Sequence, residues 1–144
     1  MVRHPDHVTL AVRDAAAGLE FFALLGFREE KSVVIAGGPF DAYMGVPGIE
    51  AEHRTLVLPN ANPRFEIQLL TYRQPAVHAD PGAGDLARTG FNHLCFAVDD
   101  LDAEVARLTA AGVQLRNQVM LFHDRKLVFL AGPEGVVVEL AQWV

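Results

Sequence analysis

Two histidines and two side-chain oxygen donors recur in the sequence at similar spacings. His7 and His93 are separated by an offset of 86, and Gln68 and Glu139 by an offset of 71. Imidazole nitrogen, amide oxygen and carboxylate oxygen are ligands for hard or borderline divalent metal ions. Glu139 lies in an apolar run, where a carboxylate is costly to bury unless a cation or hydrogen-bond donors accompany it. Together these four residues predict a metal site.

The chemistry of the set narrows the choice of metal. It contains no thiolate, which excludes copper(I) and iron–sulfur clusters and leaves Zn, Ni, Co, Mn, Fe(II) or Mg. On an octahedral ion, four protein ligands leave two adjacent positions for water or a chelating substrate. A dication with one carboxylate carries a net charge of about +1, which would stabilise an enolate or enediolate formed from that substrate.

The spacing of the histidines belongs to an internal repeat. At the offset of 86, segment 7–14 lies over segment 93–100, and His, Ala, Val and Asp are shared. At the offset of 71, positions 56–57 lie over 127–128, and positions 67–69 lie over 138–140. The two offsets differ by close to the length of a Gly- and Pro-rich segment, 36–48, which predicts a loop with at most one helical turn.

Alternation within the predicted strands puts the four candidate ligands on one side of each repeat. In the first strand, His7, Thr9 and Ala11 oppose larger apolar residues, and His93 begins the same pattern in the second copy. Gln68 and Glu139 alternate with apolar neighbours in the last strand of each copy. The small-residue face of each copy therefore carries one imidazole and one oxygen donor.

The remaining signals complete each module. Asp14 and Asp100 are candidate helix N-caps, and Gly26 and Gly112 are expected to end the helices. Phe27 and Val113 are expected to begin second strands, and further strands are predicted at 54–58, 65–71, 126–130 and 136–141. These elements predict an α+β fold in which two βαβββ modules, 5–72 and 89–144, form a curled mixed sheet around a metal cleft, within one domain spanning 1–144.

Composition limits the functions of the chain. The 144 residues carry a formal net charge of −6, which disfavours nucleic acid and anionic membranes as partners. One cysteine permits no disulfide within the chain, no signal peptide is visible at the start, and no apolar run approaches the ~20 residues of a membrane helix. We therefore expect a cytoplasmic protein, and the chelating substrate that the metal site implies is a small-molecule substrate.

Other polar residues compete for roles in the site. Glu66 lies shortly before Gln68 on the same strand face, so it is an alternative ligand or a catalytic base. Cys95 lies on the cleft face and is expected to form part of its wall. His53, Arg54 and the turn 123–126 are expected to be solvated, and contact with an anionic substrate is the alternative.

Three segments carry a family resemblance: His7–Asp14 with Leu25–Phe27, Phe91–Asp100, and Gly132–Leu140. They resemble the vicinal oxygen chelate superfamily, which includes glyoxalase I, methylmalonyl-CoA epimerase, extradiol dioxygenases, fosfomycin-resistance enzymes and bleomycin-binding proteins. The resemblance covers nearly the whole chain. It implies paired βαβββ modules (the glyoxalase fold), a divalent metal and a homodimer.

The resemblance also implies roles for residues. The family's metal ligands fall at His7, Gln68, His93 and Glu139, a set most similar to that of the epimerase branch. The epimerases carry a catalytic glutamate on the third strand of the first module. Here Arg54 stands near that place, and Glu52 is a poor substitute.

Three functions are compatible with this sequence. The favoured one is a glyoxalase-like isomerase, lyase or epimerase, in which Glu139 or Glu66 removes a proton α to a carbonyl while Zn, Ni, Co, Mn or Fe stabilises the product charge. A second is an Fe(II) extradiol-type dioxygenase built on two histidines and Glu139. The extradiol enzymes that the chain resembles usually carry an acid/base tyrosine shortly before this glutamate, and the sequence has none there. A third is a protein that binds or sequesters a small molecule such as a drug, with no metal required.

Overall fold

The computed structural model describes residues 1–144 and divides into two compact units, Met1–His78 and Ala79–Val144. The first unit contains β1 (His7–Ala11), α1 (Ala15–Leu24), β2 (Arg28–Ala36), α2 (Gly38–Met44), β3 (Glu50–Val57) and β4 (Glu66–Gln74). The second contains β5 (Leu94–Ala97), α3 (Leu101–Ala110), β6 (Met120–Phe122), β7 (Arg125–Ala131) and β8 (Val137–Trp143), with a 3-10 turn at Pro133–Gly135. The predicted α+β fold of duplicated modules is confirmed.

Each unit has one four-stranded mixed sheet with the same connectivity. The strand order is β1-β4-β3-β2 in the first unit and β5-β8-β7-β6 in the second. The first and last strands of each module pair in parallel, and the other neighbours are antiparallel. In this topology the first and last strands, which carry the candidate ligands, lie side by side.

Strand register confirms that Gln68 and Glu139 are equivalent positions. Thr9 pairs with Gln68 in the first unit, and Cys95 pairs with Glu139 in the second. Both pairs fit the two offsets found in the sequence.

The offset of 71 is wrong for the third strands. Leu56 lies opposite Ile67, and the residue opposite the equivalent Val138 is Leu130. Leu56 is therefore equivalent to Leu130, an offset of 74, and Leu127 is not its counterpart. The cause is the hairpin, because the connection at 58–65 in the first unit is longer than that at 132–136 in the second.

Local signals define the helices as predicted. The side chains of Asp14 and Asp100 accept hydrogen bonds from the backbone N–H groups of Ala17 and Ala103, each at 3.0 Å. Gly26 and Gly112 follow the helices with φ of 93° and 89°, a conformation that favours glycine. Close packing of α1 on its sheet depends on Gly18, since a Cβ there would lie 2.9 Å from Leu69 Cδ1.

Two predicted elements differ from the structure. No second strand begins at Val113; only Leu115 forms an isolated bridge, to Leu130, and the strand starts at Met120. The segment 36–48 is not mainly a loop, because its central part forms α2. Pro39 at the start of α2 and Gly45, with φ of 66° at its end, are typical helix-boundary residues.

No helix has both the length and the apolar character needed to cross a bilayer.

Candidate functional site

The inner face of the first unit's sheet is built in rows across its strands. Register aligns one row of four residues: Thr9, Gln68, Thr55 and Lys31. The next row continues with Leu70, His53 and Val33, which are also paired in register. Hydrophilic residues thus cluster around Gln68, and the apolar content rises along the strands toward α2.

His7 enters this face from the start of β1, and its ring is held from behind. Its Nδ1 lies 2.7 Å from Asp6 Oδ1. Because the carboxylate can only accept, Nδ1 carries the hydrogen and Nε2 keeps its lone pair. An imidazole oriented by a carboxylate at one nitrogen, with the other nitrogen open, is the usual arrangement of a metal-binding histidine.

Gln68 is held by hydrogen bonds at both ends of its amide. Its Nε2 donates to Glu66 Oε2 at 3.0 Å. Its Oε1 accepts from Thr9 Oγ1 and from His53 Nε2, both at 3.0 Å. A metal ion bound to Oε1 would have to replace one of these donors, and the Thr9 hydroxyl can turn away by rotation about one bond.

Glu66 occupies the inner face beside Gln68, but both of its oxygens are engaged. Arg64 Nε donates to Oε1 at 2.8 Å while Gln68 donates to Oε2. These hydrogen bonds, from Gln68 first and then Arg64, lower the pKa of Glu66 against the opposing effect of burial. Glu66 is therefore held as a carboxylate, and its role as a base or ligand stays a prediction.

His53 is a site residue that the sequence reasoning assigned to solvent. It is half-buried on β3, and its Nε2 donates to Gln68, so its Nδ1 keeps the lone pair of the neutral ring. Arg54 lies on the opposite face of β3 and binds Glu29 at 2.8 Å and Glu52 at 2.9 Å. Neither Arg54 nor Glu52 therefore faces the site. The missed signal was the start of β3, which begins at Glu50 rather than at Arg54.

A cavity of about 400 Å³ opens on this face of the first unit. Its polar lining consists of His7, Thr9, Lys31, His53, Thr55 and Gln68. Its apolar lining consists of Val33, Ile35, Phe40, Tyr43, Met44 and Leu70. Three of these apolar residues come from α2, so this helix forms one wall. The volume is within the range of small-molecule sites.

His93 in the second unit repeats the geometry of His7. Its Nδ1 lies 2.7 Å from Asn92 Oδ1. The Asn92 amide is oriented because its Nδ2 donates to the carbonyl of Leu86 at 2.7 Å. Nδ1 of His93 therefore carries the hydrogen. Asp6 and Asn92 also lie at the offset of 86, so the repeat itself could have identified them as the residues that orient the two rings.

Nε2 of His93 faces Glu139 Oε2 at 3.3 Å. Because Nδ1 carries the hydrogen, Nε2 of a neutral ring presents a lone pair to the Glu139 carboxylate. Two electron-pair donors repel each other at this distance unless a proton or a cation lies between them. The His93 side chain is 32% exposed and the Glu139 side chain 14%, so water reaches the imidazole more than the carboxylate. A proton that makes an imidazolium–carboxylate ion pair satisfies this contact, and the two donor types also suit a divalent cation.

The surroundings of Glu139 are otherwise apolar. Phe129 lies opposite it on β7 and packs edge-on against His93, with ring centroids 5.1 Å apart. Burial, and then a hydrogen bond to Glu139, raise the pKa of Cys95 to about 12. The thiol stays protonated near neutral pH, so Cys95 is not an activated nucleophile.

The four predicted ligands form two pairs: His7 and Gln68 line the same cavity of the first unit, and His93 contacts Glu139 in the second. Neither unit by itself brings three His, Cys, Asp or Glu side chains into a metal-binding cluster. The donors within each pair are a neutral imidazole and an oxygen, which suit borderline or hard dications.

Two curated relatives resemble the chain over most of its length. The ethylmalonyl-CoA/methylmalonyl-CoA epimerase of Cereibacter sphaeroides is 28% identical, and the match covers 99% of both chains. Glyoxalase I of Saccharomyces cerevisiae is 25% identical over 94% of this chain. The chain spans only 43% of that yeast protein's length.

Solved structures share the fold. A glyoxalase family protein from Bacillus cereus superposes with a TM-score of 0.87 at 24% identity, covering 100% of this chain and 96% of that one. A fosfomycin resistance protein from Listeria monocytogenes, complexed with Mn(II) and sulfate, gives a TM-score of 0.64 at 15% identity over 100% of this chain and 95% of that one. The Glyoxalase/Bleomycin resistance protein/Dioxygenase superfamily matches residues 4–140. The chain belongs to this superfamily.

Proposed function

We propose that the protein is a divalent-metal-dependent isomerase, lyase or epimerase that removes a proton α to a carbonyl group. The observation that carries the proposal is the contact of 3.3 Å between His93 Nε2 and Glu139 Oε2, with Nδ1 already occupied by Asn92. In this proposal the metal ligands are His7, Gln68, His93 and Glu139. Zn, Ni, Co, Mn and Fe all suit these donor types.

Glu139 is the proposed base. It is mostly buried, lies between the apolar Val138 and Leu140 on β8, and contacts His93, so its carboxylate is positioned to accept a substrate proton. When bound, a divalent metal would supply Lewis-acid stabilisation of the charge that develops on the substrate oxygen. Glu66 is the less suited base, because Gln68 and Arg64 stabilise its charged form.

The first unit supplies the groups that position a substrate. His53 and Thr9 hold the Gln68 oxygen, and Glu66 holds its nitrogen, so the amide cannot turn end for end without losing these bonds. The apolar wall from α2 would exclude water from part of the bound substrate.

The test combines metal content with proton exchange. Chelator-treated protein is reloaded with Ni, Co or Zn, and exchange of α-protons is followed in D₂O for a panel of carbonyl and thioester compounds. We expect stoichiometric metal and exchange on at least one compound. The His93→Ala variant should lose both, whereas His78→Ala, which removes an exposed imidazole, should keep both.

A second candidate function is small-molecule binding without catalysis. The cavity of about 400 Å³ favours it, since that cavity needs no metal to be formed. Wild-type protein that holds no metal after reloading would overturn the enzymatic proposal in favour of binding. Oxygen consumption by the Fe(II)-loaded protein with catechols would instead favour a dioxygenase.

The homodimer implied by the family stays a prediction, which light scattering of the purified protein tests.

A further inference from the structure

We propose that the cavity of the first unit selects a small organic anion with an apolar body, and that Lys31 recognises the anionic group. This inference rests on the proposed function and deepens it by naming the substrate class of the same site. It is carried by the distribution of charge and apolar surface around the cavity.

The apolar part of the cavity is built on α2, an element of the first unit alone. Met44 and Val46 pack against a buried cluster that consists of Ile35, Ile49, Ala51 and Leu70. This contact fixes α2 over the apolar end of the inner face, where Phe40 and Tyr43 remain 38% and 84% exposed. Large exposed apolar residues beside a cavity are typical of a surface that an apolar ligand covers.

The charge of the lining has one sign. No Asp or Glu lines the cavity, and Lys31 is its only permanently charged residue. An anionic group on the ligand would therefore meet Lys31 on the wall itself, while the nearby carboxylates of Asp6 and Glu66 are already bound by His7 and by Arg64 and Gln68. A cationic ligand would meet Lys31 without a compensating carboxylate.

Lys31 is free to take this role. It forms no salt bridge within the chain, and it lies in the row that contains Thr55 and Gln68. The neighbouring Glu30 carboxylate is hydrogen-bonded by Arg64, which lowers the pKa of Glu30 more than the nearby charge of Lys31 does. The ammonium group therefore keeps its hydrogen-bond donors for a ligand.

The experiment uses three probes with the same apolar body: hexanoate, hexanol and hexylamine. Binding to chelator-treated, full-length protein is followed by two-dimensional amide NMR, so no metal takes part. We expect hexanoate to bind more tightly than hexanol, hexylamine to bind most weakly, and the shifted amides to include residues 31–35 and 40–44. Equal binding of all three probes, or shifts confined to other segments, would overturn the proposal.

A pair of charge variants tests Lys31 directly. Lys31→Met should weaken hexanoate about five-fold, the loss of one exposed ion pair, and leave hexanol unchanged. Lys126→Met is the matched control, because it removes the only other lysine of the chain, which pairs with Asp102 in the second unit. An equal loss in both variants would show a general charge effect and contradict the assignment.

A third variant tests the apolar wall. Phe40→Ser changes a partly exposed side chain, so the fold should persist, and both hexanoate and hexanol should bind more weakly. The outcome is independent of the proposed catalysis. Selective hexanoate binding without metal-dependent proton exchange would support this inference and overturn the proposed function. Proton exchange without selective hexanoate binding would overturn this inference and support the proposed function.

Discussion

The rows that contain Gln68 and Glu139 occupy equivalent positions in the two units but differ in polarity. In the first unit, Thr9, His53 and Glu66 surround the Gln68 amide with hydrogen bonds. In the second unit, Glu139 is bordered by Cys95 and Phe129 and faces the lone-pair nitrogen of His93. One duplicated scaffold thus supports a satisfied polar network and a carboxylate that lacks one.

This difference suggests a division of labour. A satisfied amide is rigid and neutral, which suits positioning. A mostly buried carboxylate that contacts an imidazole and a thiol suits ligation of a cation and proton transfer. The unit with the positioning residues is also the one with α2 and the cavity, so substrate recognition and chemistry are proposed to come from different copies of the repeat.

The largest expected effect comes from making the second unit resemble the first. Glu139→Gln keeps the shape of the side chain but removes its charge and basicity. We expect the rate of α-proton exchange to fall by roughly 100- to 10,000-fold, the usual contribution of a general base. Glu66→Gln is the matched control, and a comparable loss there would move the role of base to the first unit.

Cys95 reports on the environment of Glu139 without requiring activity. Because its pKa is raised to about 12, the thiol should react with iodoacetamide at pH 8 roughly a thousand-fold more slowly than an ordinary cysteine. The rate should continue to rise with pH above 9, since thiolate forms only as the raised pKa is approached. Urea-unfolded protein provides the fast reference, and equal rates in both states would contradict the hydrogen bond between the Cys95 thiol and Glu139.

The corrected register predicts matched core residues. Leu56 and Leu130 are equivalent at the offset of 74, and both are essentially fully buried. Replacing either by Ala should lower the free energy of unfolding by about 3 kcal/mol. Leu127, the counterpart implied by the offset of 71, is only half-buried, so Leu127→Ala should cost less. Denaturant unfolding of the three variants decides between the offsets.

These corrections show what the sequence could and could not determine. Alternation is a local property of a strand, so the faces of His7, Gln68, His93 and Glu139 followed from it. The match of two apolar residues in β3 and β7 did not define a unique alignment, because apolar dipeptides are common and the hairpins differ in length. An offset between the two copies is reliable only where matching polar residues determine the alignment, as His and Asp do for the offset of 86.

The contacts around the site needed the folded chain. Nothing local shows that α2 covers the inner face of its sheet, because that depends on the packing of Met44 against the buried cluster that contains Ile35 and Leu70. The sequence prediction misses His53 because it starts the third strand at residue 54. The hydrogen-bond partner of His53, Gln68, lies on the next strand of the sheet, so no local pattern links the two residues. The function of a polar side chain is set by such partners rather than by its position in the sequence.

The residues behind the two histidines should have smaller effects than the ligands themselves. Asp6→Ala and Asn92→Ala each remove the acceptor that orients a ring, and we expect metal affinity to fall about 10- to 100-fold. Asp6→Asn keeps an acceptor oxygen and should recover most of that loss. Competition with a chromophoric chelator measures all three. Unchanged affinity in the alanine variants would show that ring orientation does not depend on these contacts.

The smallest expected effects separate the helices of the two units. Asp14→Ala and Asp100→Ala each remove a cap, which should lower stability by about 1 kcal/mol. The loss should be greater at Asp14, because α1 has no acidic residue in its first turn whereas α3 has Asp102 and Glu104. Removing Asp100 also relieves its repulsion with those carboxylates, which partly offsets the loss of its cap. Thermal unfolding of the two variants measures the difference, which should shrink at high salt as that interaction is screened. A loss at Asp100 as large as that at Asp14 would show that repulsion between Asp100 and the first-turn carboxylates is negligible.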